Sequence, residues 1–405
     1  MKRTGLLLLT CSLLACASSP ESGAPAAAQP FPARLEAARA RLNELRGEEL
    51  LALPEWERWP RERYLSWLRE RFATTWPPER ATLEARLWAL LGLVPRDFPL
   101  RERALSRLGE DTRLFFDRAN ARLVAVAERE EDLAQLSEAD LVHELTHALQ
   151  YQRGPLAPKD PTPFLLDDRA WAAEALSEGE ATVLEELARG RDPQLLASRA
   201  VAQLRFKDPR QPALLRYLLL EPYLHGVAAV VGILRNAPPK EGEPQDWTLY
   251  DQALRRGPFG SAELFYMASA GLAQPPAEEE LPPNLAPLIE GQVLPLRLGA
   301  RVAQLVLAEL SGGRQEQAVQ GWRADRADLH FGGPILGEEG TALAWRIRFI
   351  SGDAAQAFCD TLRALIPLGQ PPWPRAQIVQ QGARVTVLLG IPPSRRERAD
   401  ALARE

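Results

Sequence analysis

Leu141-Val-His143-Glu144-Leu-Thr-His147-Ala-Leu149 is the stretch on which the reading of this chain turns. Residues four apart on a helix share a face, so His143 and His147 can reach one metal ion. Glu144, one step round, is placed to hold a water that such an ion polarises. The flanks favour a helix. Ser137-Glu-Ala-Asp140 has the form of a capping box with Asp in the acidic position. Leu141, Val142, Leu145, Ala148 and Leu149 form an apolar stripe at helical spacing, and Gly154-Pro155 ends it. The chain holds 4 histidines in 405 residues, and two fall inside this pentad. That concentration favours a metal site over a helix that carries two histidines by accident.

Two histidines leave a catalytic metal site short of one protein ligand, with a further position kept for water. Downstream lies Glu174-Ala-Leu-Ser-Glu178-Gly-Glu180-Ala-Thr182, in an Ala-rich run from 168 to 189 that favours helix. Ser177-Glu178-Gly179-Glu180-Ala181 resembles the N-E-G-x-A-like segment of the gluzincin peptidases, with Ser for Asn. The resemblance implies Glu178 as the third ligand of one Zn²⁺ per chain. Glu174, one turn earlier on the same face, is the alternative, and Glu180 points elsewhere on the helical wheel. Small Gly179 and Ala181 allow a close helix approach. The interval from His147 to Glu178 is longer than in the aminopeptidase-like gluzincins. Its Pro-rich part, 154–163, reads as a loop.

A net charge of −5 with scattered arginines leaves no nucleic-acid footprint, and 46% apolar residues suffice for a sizeable core. Met1-Lys-Arg-Thr-Gly5 followed by Leu6 to Leu14 reads as a signal segment, too short to span a bilayer. Leu13-Leu-Ala-Cys16 resembles the lipobox of bacterial lipoproteins. That implies cleavage after residue 15, a lipid on Cys16 and membrane attachment. Ala17 in the next position favours the outer membrane over the inner. With Cys11 removed and Cys16 acylated, Cys359 is the remaining thiol, so no internal disulfide is expected. Residues 16–32 read as a disordered tether. Beyond it we expect a helical domain over 33–273, a Pro- and Glu-rich boundary, and a small α+β domain over 288–392.

Within the body, Trp56, Trp59, Tyr64, Trp67, Leu68 and Phe72 suggest an aromatic-rich helical pair used for packing. Leu114 to Val126 reads as a β-hairpin about a polar turn. In zincins a sheet precedes the metal-binding helix, and its edge strand lines the cleft where a peptide adds as a further strand. The long apolar run from 214 to 234 is interrupted at Glu221-Pro222-Tyr223-Leu-His225-Gly226, which predicts a kink. Tyr223 and His225 are candidates for stabilising an oxyanion, although a core role for His225 is the simpler reading. Past 288 the pattern predicts a helix from 297 to 310, strands at 328–331 and 341–350, a helix capped at Ser351 and running to Leu365, and two strands about Gln381-Gly382. His330 and the tryptophans there read as structural.

The ensemble resembles a group of bacterial H-E-x-x-H proteins, many of them lipoproteins. Its motifs are F-D-x₅-L (Phe116 to Leu123), H-E-L-T-H-A-L-Q (His143 to Gln150), E-G-x-A-T (Glu178 to Thr182), P-Y-x-x-G (Pro222 to Gly226) and G-W-x-x-D-R (Gly321 to Arg326). Relatives often carry a His-Pro segment where this chain has Gly257 to Tyr266, without His. The resemblance implies a mainly helical α+β fold with a zincin-like core and a membrane-anchored zinc peptidase with Glu144 as general base. Its partners would be a peptide or protein substrate and the membrane. An envelope binding or assembly lipoprotein on the same scaffold is the alternative. Neither reading names a substrate.

Overall fold

The computed structural model describes residues 29–154, 167–205, 213–238, 245–256, 260–270, 291–311, 316–332, 336, 340–365 and 376–404. The signal segment, Cys16 and most of the expected tether lie outside these residues, as do 155–166 of the expected loop. The fold is α+β and mainly helical. Helix α1 (Phe31–Arg46) begins two residues before the expected domain start, with Phe31 edge-on to Trp56 at 4.6 Å.

The hairpin forms where its sequence predicts, as β2 (Leu114–Asp117) and β3 (Arg122–Val126), with Phe116 opposite Leu123. A third strand was not anticipated. Trp56 and Trp59 belong to β1 (Glu55–Trp59), parallel to β3, and only the second part of the expected helical pair is helix, α2 (Arg61–Thr75). Pro54 and Pro60 bracket a five-residue stretch too short to repay helix nucleation, while β3 offers it a full ladder. The aromatic residues do serve as core. Trp67 lies 4.9 Å from Phe115 and 5.7 Å from Trp59 between ring centroids.

Two further helices, α3 (Pro78–Leu90) and α4 (Leu100–Asp111), lead to the hairpin. After it come α5 (Glu138–Arg153), α6 (Asp168–Ala188), α7 (Pro193–Arg205), α8 (Ala213–Leu219), α9 (Glu221–Leu234), α10 (Thr248–Arg256) and α11 (Ser261–Ala270). The predicted kink separates α8 from α9, at 54°. No single described helix is long and apolar enough to cross a membrane. Helix α6 is the centre of the body, buried without interruption from Ala170 to Glu186. It crosses α9 where both lack side chains. A Cβ on Gly179 would sit 2.3 Å from the Gly226 carbonyl carbon, and one on Gly226 1.7 Å from the Ala175 oxygen.

The C-terminal part comprises β4 (Gln292–Leu296), α12 (Gly299–Ser311), β5 (Trp322–Phe331), β6 (Thr341–Phe349), α13 (Gly352–Leu365), β7 (Gln377–Gln381), β8 (Arg384–Leu389) and α14 (Arg396–Ala403). The sheet is antiparallel in the order β4-β5-β6-β8-β7. The strand expected at 328–331 reaches back to Trp322, while β4 and α14 were not foreseen. Pro295 conceals β4, yet the strand lies at the sheet edge, where a missing N–H is tolerated.

One continuous core runs from Phe31 to Leu389 through both parts. Buried polar contacts join them. Arg301 of α12 donates twice to Glu221 of α9, at 2.6 Å each. The Asp325 carboxylate accepts from Leu298 N, Gly299 N and Trp345 Nε1 at 2.8–3.1 Å. Asp168 at the start of α6 accepts from Ser261 N at 2.9 Å and lies against Gly299, where any Cβ would fall 1.8 Å from Asp168 Oδ1.

Two predictions test this packing. Gly226→Ala gains on the order of 1 kcal/mol of helix propensity but forces the α6 and α9 backbones apart, at roughly 1–3 kcal/mol or more. A lower melting temperature is therefore expected, and an unchanged one would contradict the crossing. Glu84 on α3 is fully buried beside Trp76 Nε1 at 2.9 Å and Arg80 at 3.3 Å. Burial pushes its carboxyl up to about 8 against the partial pull of Arg80. The neutral acid is thus the folded form's preference. Its contribution is present below about pH 4.5 and lost as pH rises through about 8. Melting curves from pH 5 to 9 should show a smaller alkaline loss for Glu84→Gln than for wild type.

Candidate metal centre

Helix α5 begins with the capping box read from sequence. Ser137 N donates to Asp140 Oδ2 at 2.8 Å and Asp140 N to Ser137 Oγ at 3.2 Å. The helix buries His143, Glu144 and His147 at 0–1% exposure. Helix α6 runs against it and brings Glu178, also fully buried, to the two imidazoles.

Three atoms converge. His143 Nε2 and His147 Nε2 are 3.3 Å apart, and Glu178 Oε2 lies 3.5 and 3.6 Å from them. Ligand bonds of about 2.0–2.1 Å meeting at tetrahedral angles leave edges of about 3.4 Å, so the triangle fits one metal ion. At these lengths the Glu178 contacts are long for hydrogen bonds. This group could hold a metal ion; its chemistry of two imidazoles and a carboxylate suits a borderline cation such as zinc.

The far side of each ring fixes its tautomer. His143 Nδ1 is 2.9 Å from Glu185 Oε2, and Glu185 is itself paired with Arg189 at 2.7 Å. His147 Nδ1 is 2.9 Å from Gln150 Oε1. With Nδ1 donating outward, both Nε2 lone pairs face Glu178. Arg118, from the hairpin turn, donates to Ser177 Oγ at 2.7 Å and Gln150 Oε1 at 3.1 Å, which ties β2 to both helices. Gln150 Nε2 closes the link to the Ser177 carbonyl at 2.9 Å.

The charges follow this geometry. Burial opposes the imidazolium at both rings. At His143 the hydrogen bonds to Glu178 and Glu185 outweigh it and raise the pKa well above the usual value, while at His147 burial wins and lowers it. Burial also opposes ionisation of Glu178, but the two imidazoles outweigh it and hold the carboxyl down to about 2. Glu174, the alternative ligand, is pushed well up by burial and then by the Glu178 charge. It is the neutral neighbour of the cluster and lies outside the three converging atoms. Glu180 points away, as expected, into pairs with Arg46 at 2.7 Å and Arg153 at 2.8 Å.

Glu144 Oε2 accepts from Phe116 N at 2.9 Å. That bond corrects one expectation. Strand β2 is an outer strand of its sheet, but its four residues are buried and its Phe116 amide is committed to Glu144 rather than offered to a peptide. Tyr223 stacks on His143, with ring centroids 6.4 Å apart and planes inclined by 20°. His225 lies against Trp171 and Phe265 at 5.6 and 5.2 Å, in keeping with the packing role. His330 is buried in β5.

Sequence reasoning did not anticipate Gln150, Glu185, Ser177 or Arg118. Helical spacing carried a signal for two of them, since Gln150 is three residues after His147 and Glu185 seven after Glu178. Nothing local marked Arg118. No family model, curated protein or solved structure matches the chain.

Elemental analysis should find about one metal ion per chain, lost in Glu178→Ala and retained in Glu174→Ala. Equal loss from both variants would reject the assignment of Glu178.

Proposed function

We propose that the protein is a zinc-dependent peptidase of gluzincin type. The observation that carries this reading is the triangle of His143, His147 and Glu178 at 3.3–3.6 Å, with Glu144 on the same helix one residue from a ligand. The order of hairpin, H-E-x-x-H helix and glutamate helix agrees with a zincin-like core, and with the H-E-x-x-H lipoproteins the motifs resemble. A bound zinc ion would supply Lewis acidity and lower the pKa of a coordinated water towards about 7.

The chain's own groups do the rest. His143, His147 and Glu178 would hold the ion, and the Glu185 and Gln150 contacts orient each imidazole with Nε2 inward. The Phe116 amide fixes the orientation of the Glu144 carboxylate. Glu144 takes a proton from the water and passes it to the departing amine. Tyr223, whose ring stacks on His143, is favoured as the oxyanion candidate over His225, which packs on Trp171 and Phe265. The substrate is a peptide or protein, and a lipid on Cys16 would hold the enzyme at the cell envelope.

One observation favours the alternative, a metal-binding envelope protein without turnover. The whole centre is 0–1% exposed, and Glu144 is bonded to a strand amide. Glu144→Gln separates the two readings. For the peptidase, the variant keeps its zinc and loses roughly 10²–10⁴-fold in hydrolysis of a peptide library. If wild type and variant bind zinc equally and neither cleaves, the alternative stands.

A further inference from the structure

Of the two carboxylates between Glu178 and Thr182, the candidate metal centre uses Glu178 and leaves Glu180 over. Glu180 is nevertheless fully buried. Its Oε1 accepts from Arg46 Nε at 2.7 Å and from Arg153 at 2.8 Å. Its Oε2 accepts from Arg153 at 3.0 Å and from Gln150 Nε2 at 3.0 Å. Both arginines also hold acids nearer the surface, Arg46 on Asp251 and Arg153 on Glu48 at 2.6 Å. Glu180 is therefore the inner end of a charged group from α1, α5 and α6, and Gln150 is its link towards the histidines.

Arginine carries only donors, and an ionised carboxylate only acceptors. Gln150 stands between the two kinds. One end of its amide is 3.0 Å from Glu180 Oε2 and 2.9 Å from the Ser177 carbonyl. The other end is 3.1 Å from an Arg118 nitrogen. The end facing the acceptors must be the NH₂, and the end facing Arg118 the oxygen. Turned over, the amide would set its oxygen against a carboxylate and a carbonyl, and its N–H groups against a guanidinium. The oxygen so placed is 2.9 Å from His147 Nδ1. Nδ1 must then carry the ring proton, which leaves the Nε2 lone pair facing His143 and Glu178. The competing contact, Arg118 on Nδ1 itself, requires the opposite tautomer and is longer, at 3.4 Å.

We propose that Glu180 is a positioning residue of the metal centre: it sets the direction of the Gln150 amide, which holds His147 with its proton on Nδ1 and its lone pair on Nε2. The inference rests on the reading of His143, His147 and Glu178 as a metal site. Glu180 acts through one intervening side chain and reaches no ligand itself.

The test uses the full chain labelled with ¹⁵N-histidine and stripped of metal by a chelator, at about pH 8, above the usual range of imidazole. Protonated and bare ring nitrogens give separate ¹⁵N signals, and those of His147 are the ones lost in His147→Asn. Wild type should carry the His147 proton on Nδ1. In Glu180→Gln the new amide can turn either end to Gln150, so the Nε2–H form should become detectable. Zinc affinity, read by chelator competition, should fall about tenfold in that variant and up to about 100-fold in Gln150→Met. The double variant should lose no more than Gln150→Met alone, because Glu180 acts through that residue. Arg46 and Arg153 keep Asp251 and Glu48 when Glu180 is neutral. Should Glu180→Gln still not fold, Glu180→Gln with Arg153→Gln removes one charge of each sign and replaces it. A wild-type proton on Nε2 overturns the proposal. So do an unchanged tautomer and affinity in Glu180→Gln, or losses that add in the double variant, since Glu180 would then only tie helices together. A wild type that binds no zinc would sink the metal reading, while the tautomer of His147 would still decide this one.

Discussion

The cost of burying carboxylates on α6 organises this molecule. An ionised group taken from water into an interior costs several kcal/mol unless it is paired or protonated. Helix α6 buries Glu174, Glu178, Glu180, Glu185 and Glu186. Each has a different remedy. Glu180 is neutralised by Arg46 and Arg153, drawn from α1 and α5. Glu185 meets His143 and Arg189, and Glu186 meets Arg189 and Arg191. Glu174 keeps its proton. Glu178 faces the imidazoles of His143 and His147, and the three groups could hold a metal ion. The counter-charges of α6 thus come from α1 and α5 and from the arginines at its own C-terminal end.

That arrangement needs α6 at the geometric centre, and glycine allows it. The contact of Gly179 with Gly226 brings two backbones together with nothing between them. Gly179 adjoins Glu178, and Gly226 is three residues after Tyr223, so the crossing also sets the ring of Tyr223 over His143. Two short motifs far apart in the chain, E-G-x-A-T and P-Y-x-x-G, are therefore one packing feature.

The C-terminal sheet is part of the same construction. Asp325 caps α12, Asp168 lies against Gly299 in that cap, and Arg301 reaches back to Glu221 at the start of α9. Both helices of the glycine crossing are held at their N-terminal ends by contacts with this part. This sheet, which contributes none of the three converging groups, thus bears on the candidate metal centre by fixing the helices that build it.

Local spacing determined a good deal. The capping box, the i, i+4 histidines, the hairpin, the break before Pro222 and most C-terminal elements depend on neighbours within a turn or two, and each forms where its residues predict. The Glu178 assignment rested on resemblance, and the geometry now places its carboxylate against both histidines. Local spacing failed where partners are distant. The Glu-Trp-Glu-Arg-Trp run of β1 becomes a strand because β3, more than sixty residues later, supplies its ladder. Strand β4 is tolerated with a proline because it lies at an edge. Arg118, Gln150 and Glu185 matter because of what they touch across helices, and the commitment of the Phe116 amide to Glu144 arises only once β2 packs on α5. Hydrogen bonding within a helix or hairpin is short-range and leaves a periodic trace in the chain. The compensation of a buried charge is satisfied by whichever residue the fold brings within about 3 Å, and sequence order places no limit on where that residue lies.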